Sequence, residues 1–518
     1  MSLQSLPEEI LLRILSYLPF HADAAALSSQ CHRWHQLCDM SNRRKYRRVK
    51  LRETLDLAVA LRMLRSILKT PQYGEYVRYI ELNRSPSLDY SFYVRSYEIK
   101  PPQRSLRPKD RDRLTQAIKG AGFDSPEGQE KVLNVLLQSP ATMDHNDPRA
   151  PFLAQALAAL LVSVSPLLES LSFCPVGQEL SKFAKLKAQS NGTPLEESDY
   201  FFKQFLDRAN SRSQETLPYL HHLRRARFLV DPDTRISSWY NYQPYDLYGC
   251  LNLVRRLPAI ESIRVDAIMD TGGSSIMPPP RSANYSKITI RNSNVDSRYL
   301  VRTIQSAKRL EEFIYTIGGR GSSDGISSFI PDHVLRALLM HADSLVYLDL
   351  DNEAELPLVH IFDPTLREYL LNESEDRSSR SHPAYQQEWA DELQELPPEQ
   401  SSRSLPGSLL GLPNVKNLSL GIHLLYYLSR GIGADQVDDA SFAIKGMKPQ
   451  VDSLPHDVFD RQIEKLLAEK DRKLPRLSYI EGIDEFIENA TTIEQPETND
   501  EDLWERETDD EWTDYEYD

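Results

Sequence analysis

Ile260-Glu261-Ser262-Ile263-Arg264-Val265, Tyr285-Ser286-Lys287-Ile288-Thr289-Ile290 and Leu310-Glu311-Glu312-Phe313-Ile314-Tyr315 state one phrase three times, with starts twenty-five residues apart. Each sets an apolar residue, two others, an apolar residue, one other and a final apolar residue. The alternating end has the two-residue period of a strand with one buried face. Working outward, the same form returns at Val77 to Leu82, Leu168 to Phe173, Leu345 to Leu350 and Val415 to Leu420. Poorer copies stand at Leu223 to Phe228 and Leu477 to Ile480.

The segments before these phrases have helical spacing: Leu55 to Leu68, Pro151 to Val164, Asp246 to Arg256, Asp296 to Ala307, Pro331 to His341 and His456 to Lys470. Val334, Leu335, Leu338 and Leu339 illustrate it. Proline recurs in the link, as in Ser165-Pro166-Leu167-Leu168, Leu257-Pro258-Ala259-Ile260 and Leu412-Pro413-Asn414-Val415. It ends the helix and favours extended chain. Repeated helix–strand units have one economical solution, parallel strands side by side with helices covering one face. The predicted class is therefore α/β. The twenty-five-residue interval falls within the roughly 20–29 residues of a leucine-rich repeat. The body resembles an irregular leucine-rich-repeat solenoid, with longer intervals elsewhere and without the usual asparagine step. The residues alone leave a non-repetitive α/β domain open.

The N-terminus reads differently. In Leu6-Pro7-Glu8-Glu9-Ile10-Leu11-Leu12-Arg13-Ile14-Leu15-Ser16-Tyr17-Leu18, proline sits near the first helical position and two acids follow in the first turn. Ile10, Ile14 and Leu18 repeat every fourth position beside Leu11, and Pro19 stops the helix. Asp23 is positioned to cap a second helix carrying Leu27, Cys31 and Trp34. So small a helical pair has more apolar surface than it can hide, and some of it should meet a partner. This stretch resembles the F-box, whose pattern opens Leu-Pro-x-Glu/Asp-Ile/Leu and ends in a Cys-x-x-Trp step, here Cys31-His32-Arg33-Trp34. The resemblance implies that Leu6, Pro7, Ile10, Leu11, Ile14 and Leu18, with Leu27 and Trp34 behind them, contact or shape a surface that docks on a Skp-family adaptor and, through it, a cullin scaffold. An F-box followed by such an array is similar to many fungal proteins.

The boundaries follow: an F-box at 1–50, an array at 51–490 and an acidic tail at 491–518. Of the formal net charge of -15, the stretch Glu494 to Asp518 holds thirteen acids against Arg506 alone, about -12. Such a tail is too charged to bury its few apolar residues and is expected to be solvated and disordered. Four cysteines in 518 residues make no disulfide framework. No run is long enough to span a bilayer; Ala154 to Val164 comes nearest and contains Gln155. Glu8 and Glu9 stand where a secretory signal would be apolar, so a cytoplasmic or nuclear location is expected. Neither a membrane nor a nucleic acid is an expected partner.

Signatures of catalysis are missing. Gly318-Gly319-Arg320-Gly321 lacks the lysine and the helix of a phosphate loop, and no His-Glu-x-x-His or Gly-x-Ser-x-Gly occurs. Cys31, His35 and Cys38, taken along one helix, meet no zinc spacing. The basic run Arg43 to Arg48 reads as a helix end or a junction to the next domain. No cofactor, metal or catalytic residue is expected. Two insertions interrupt the array, one near 231–249 and one near 363–404. The first carries Trp239, Tyr240, Tyr242 and Tyr245, rings of the kind that anchor protein targets, though a loop packing on its own array explains them equally. The stretch Lys100 to Asp112 reads as a loop. The implied function is the substrate-recognition subunit of a Skp/cullin/F-box ubiquitin ligase, acting in protein degradation by holding a target on the array. The alternative is a non-catalytic interaction scaffold outside a ligase.

Overall fold

Each phrase becomes a strand, and ten strands form one parallel sheet among the described residues. The computed structural model describes residues 6–16, 18, 21–83, 106–140, 143, 150–176, 200–211, 219–230, 243–270, 276–317, 331–351, 411–420, 476 and 479–480. Trp239, Tyr240, Tyr242, the insertion near 363–404, the expected helix His456 to Lys470 and the acidic stretch after 490 lie outside them.

The chain opens with four short helices, α1 (Glu8–Ser16), α2 (His21–Ser28), α3 (His32–Cys38) and α4 (Met40–Arg47), and passes directly into β1 (Arg48–Leu51). There follow α5 (Thr54–Lys69), a 3-10 turn at Pro71–Tyr76, β2 (Tyr79–Leu82), α6 (Pro108–Gly120), α7 (Pro126–Leu136) and α8 (Ala150–Ser163). Next come β3 (Ser170–Phe173), α9 (Phe201–Ser211), β4 (Arg225–Phe228), β5 (Gln243–Tyr245) and α10 (Leu247–Val254). Then β6 (Ser262–Asp266), β7 (Ile268–Asp270), β8 (Lys287–Arg291), α11 (Ser297–Ser306), β9 (Glu312–Thr316), α12 (Pro331–Leu339), β10 (Tyr347–Asp351), β11 (Asn417–Leu420) and β12 (Tyr479–Ile480).

The large sheet runs β1-β2-β3-β4-β6-β8-β9-β10-β11-β12, so its strands lie in chain order, while β5 and β7 pair separately. Register aligns the apolar positions into rows. Ile80, Leu171, Ala226, Ile263, Ile288, Phe313 and Leu348 are successive partners, and all are buried. Two residues on, Leu82, Phe173, Phe228, Val265, Ile290, Tyr315 and Leu350 form a second buried row. Slipping any strand by one residue would turn both rows to the wrong face. Burial of each large side chain is worth about 1.5–3 kcal/mol.

The ladder also extends upstream of the named strands. Glu169 donates its N–H to Arg78 O, Arg224 to Glu169 O, Glu261 to Arg224 O, Ser286 to Glu261 O, Glu311 to Ser286 O, Val346 to Glu311 O and Lys416 to Val346 O. One side-chain device recurs beside it. Asn284 donates to Leu257 O at 3.0 Å, and Asn414 donates to Ala342 O at 3.2 Å. Each asparagine directly precedes its phrase, and each accepting carbonyl lies three residues before the preceding phrase.

Helices cover the inner face. Along it α5 packs on α8, α8 on α9 and α9 on α10, and further on α11 packs on α12. Outside this layer α6 and α7 pack on each other and on α8. That second cover explains α8, which is buried from Ala150 to Val162: it is apolar all round because protein surrounds it. No described helix is long and apolar enough to cross a membrane. The polar exception in α8 is Gln155, fully buried, which donates to Val176 O and accepts from the Phe202 N–H, both at 3.3 Å.

Three expectations are corrected here. Lys100 to Asp112 is not all loop, because α6 begins at Pro108, a residue suited to a first helical turn, and continues through buried Leu114 and Ile118. The expected second N-terminal helix is two helices. At the end of α2, Ser28 and Ser29 hydroxyls and the Gln30 amide donate to Ala25 O and Ala26 O, and Cys31 is extended at φ -163°. Side chains that satisfy the last carbonyls this way compete with helix continuation. The insertion near 231–249 contains β5 and the start of α10, so it is not irregular throughout.

Candidate docking surfaces

The N-terminal helices share a small core of their own. Leu11 and Leu15 of α1 and Trp34 and Cys38 of α3 are buried together. Leu6, Ile14, Leu18 and Leu27 pack against them, half-buried. Arg33 donates from Nη2 to Leu6 O at 2.9 Å, which straps the chain entry onto α3, and Pro7 O accepts from the Ile10 and Leu11 N–H groups. Burial pushes the Cys38 thiol above its ordinary value. Pro7 and Ile10 face out, Ile10 at 45% exposure, and Leu12, which periodicity alone passes over, is 41% exposed. The implied docking residues thus divide. Leu11 and Trp34 are buried within the module, Pro7 and Ile10 are exposed, and Leu12, outside the implied set, adds exposed apolar surface beside Ile10.

The basic run after this core is a junction. Asp39, between α3 and α4, has a left-handed φ of 48°, and its carboxylate accepts from Asn42 Nδ2 at 3.0 Å and from the Tyr76 hydroxyl at 3.4 Å. Arg43 lies over the Tyr76 ring at 4.7 Å, Arg47 over Tyr79 at 5.4 Å and Lys45 over Tyr46 at 5.7 Å. Tyr46 stacks on Tyr73 at 4.7 Å and 18°. Each cation–ring contact contributes about 0.5–1 kcal/mol. Because α4 runs straight into β1, this cluster fixes the helical module to the sheet without a linker.

On the sheet face opposite the helices, exposure changes along the array. Tyr79, Glu81, Ser170 and Ser172 on β2 and β3 are buried, whereas from β4 through β10 the outward residues are half-buried or exposed. This stretch carries Arg225, Arg227, Arg264, Lys287 and Arg291 on β4, β6 and β8. Asp349 and Asp351 follow on β10.

Of the rings proposed to hold a target, Tyr245 is corrected: it ends β5, is 1% exposed, and accepts a hydrogen bond from buried Cys250 at 3.5 Å. Burial pushes its hydroxyl well above the ordinary tyrosine value. Nearby Tyr248 is also buried and stacks on Tyr299 at 4.5 Å. These rings build the array. Among the described residues no cluster of histidine, cysteine or carboxylate side chains is arranged to hold a metal ion.

With the geometry in place, the N-terminal module can be assigned to a class: it is an F-box-like domain, residues 3–51 matching the F-box-like family. The matched segment ends with β1, so the family boundary and the junction coincide. An F-box points in general terms to substrate recognition within Skp/cullin/F-box ubiquitin ligases. No curated protein matches the chain.

Proposed function

We propose that the protein is the substrate-recognition subunit of a Skp/cullin/F-box ubiquitin ligase, in the cytoplasm or nucleus, with no catalytic site of its own. In this reading the F-box docks on a Skp-family adaptor through Ile10, Leu12 and the half-buried residues beside them. The parallel sheet is an irregular leucine-rich-repeat-like array whose outward face holds a protein target. The cullin joins through the adaptor, and a partner carries out ubiquitin transfer. The chain's contribution is positional: a linker-free junction holds the two surfaces in one orientation, which raises the effective concentration of target lysines at the charged ubiquitin carrier.

The single observation that carries this reading is the F-box-like match over a module that leaves Ile10 and Leu12 exposed beside a complete core. The test is co-purification of a Skp-family adaptor and a cullin with the full chain, compared with Ile10→Asp/Leu12→Asp. Recovery of both by the wild type and of neither by the variant is expected. Equal recovery removes the reading.

A further inference from the structure

Between β7 and β8 the chain carries Ile276-Met277-Pro278-Pro279-Pro280-Arg281, which holds its only three consecutive prolines. Proline fixes its own φ near about -65° and turns the residue before it away from helix. Met277, Pro278 and Pro279 each precede a proline, so the run is held extended in the polyproline II form. That form completes a turn in about three residues. Ile276 and Pro279 therefore share one edge, Met277 and Pro280 a second, and Pro278 lies on the third. Burial follows this division. Pro278 is buried and Met277 is half-buried against the main core, whereas Ile276 is 82% exposed and Pro279 and Pro280 are exposed.

Both ends of the run are tied to the array. Asn252 of α10 donates from Nδ2 to Ile276 O at 2.6 Å. At the other end Ser282 Oγ donates to Pro279 O at 2.6 Å, and the N–H groups of Arg281 and Ser282 donate to Gln305 O and Ser306 O of α11. Arg281, with a left-handed φ of 51°, ends the extended run and is itself exposed. A lone exposed isoleucine is ordinary on a protein surface. Here it shares an edge with a proline, on a segment whose shape is set before any partner arrives. Polyproline II segments are recognised by grooves lined with aromatic rings, and a fixed shape lowers the ordering cost of binding. An arginine at the end of the run favours a groove with a carboxylate beside its rings.

We propose that Ile276 to Arg281 is a pre-shaped polyproline II ligand for a partner domain with an aromatic-lined groove. Ile276 and Pro279 seat between the partner's rings, and Arg281 meets an acid at the rim. Its anchors are α10 and α11 of the inner helical layer, so this surface is separate from the F-box-like module and from the outward sheet face. It goes beyond the proposed function and does not depend on it.

The test measures affinities of the full-length chain for a panel of purified Src-homology-3 and WW domains. Binding to at least one is expected, and replacing that domain's groove tryptophan with alanine should abolish it. Ile276→Asp/Pro279→Ala should weaken binding roughly tenfold or more, with melting unchanged because both positions are exposed. Should the double variant melt lower, Ile276→Ser alone carries the same comparison. Arg281→Gln should weaken binding by a smaller factor and flatten its salt dependence. A free peptide of the sequence Ile276 to Arg281 should bind less tightly than the chain, in which the run is already ordered. Failure of every domain in the panel to bind, equal affinity for the wild type and the folded variant, or a free peptide that binds as tightly as the chain would each overturn the proposal.

Discussion

The F-box-like module and the sheet handle apolar surface in opposite ways. In the sheet, α8 is sealed on every side, by the strands and neighbouring helices within and by α6 and α7 without. In the module, one small cluster of Leu11, Leu15, Trp34 and Cys38 forms the core between α1 and α3, and Ile10 and Leu12 of α1 remain exposed. A large array can add another layer over a greasy helix, whereas a module of four short helices cannot. The difference separates residues that hold the chain together from residues available to another molecule, and substitutions can break the two groups apart.

The largest effect should come from within the smaller core. Leu11→Ala opens a cavity where little else is buried and should cost about 2–5 kcal/mol locally. Hydrogen exchange should then quicken in α1 and α3 while α8 stays protected. In the body, Gln155→Leu leaves the Phe202 N–H and the Val176 carbonyl without the partner they share, at a cost of about 1–3 kcal/mol. Denaturant unfolding should show this as a lower midpoint, with adaptor binding intact. Asn284→Ala removes the side-chain bond to Leu257 O, and a loss near 1 kcal/mol is expected by the same measurement.

A smaller and pH-dependent effect belongs to α12. Burial, reinforced by Arg336, pushes the His333 imidazole down to about 4, whereas an unfolded histidine titrates near about 6.5. Between those values the unfolded chain takes up a proton that the native histidine refuses. The native state therefore loses stability as pH falls through that window, and above it the group has no effect. Thermal melts at pH 7.5 and 5.0 should differ less for His333→Gln than for the wild type.

The strands were legible because their signal is local. The phrase at Ile260, Tyr285 and Leu310 needs only alternation and a preceding helix, and its copies predicted each later strand of the large sheet. Helix α6 is hidden by the prolines and basic residues of Lys100 to Asp112, although Pro108, Leu114 and Ile118 carry a helical pattern. Helix α9 places Phe201, Phe202, Phe205, Leu206 and Ala209 at helical spacing, a signal absent from the helices expected above. Strands β5 and β7 are three residues each, too short for any period to show. At the docking surface, fourfold spacing found Ile10 and Ile14 but did not tell Leu11, which is sealed, from Leu12, which is exposed. That distinction depends on where α3 lies, and no local pattern encodes it. Tyr245 was misplaced for the same reason, since a ring on an expected loop and a ring in the core look alike before packing is known.

In the proposed function Ile10 and Leu12 serve a partner and not the module's own stability. The most direct measurement is the affinity of a purified Skp-family adaptor for the full chain and for Ile10→Asp/Leu12→Asp, with circular dichroism and melting recorded on both. Matching spectra and melting within about 0.5 kcal/mol, as for surface positions, are expected together with adaptor binding weakened roughly a hundredfold or more, as for central interface residues. Undiminished adaptor affinity in a folded variant would contradict the proposed function.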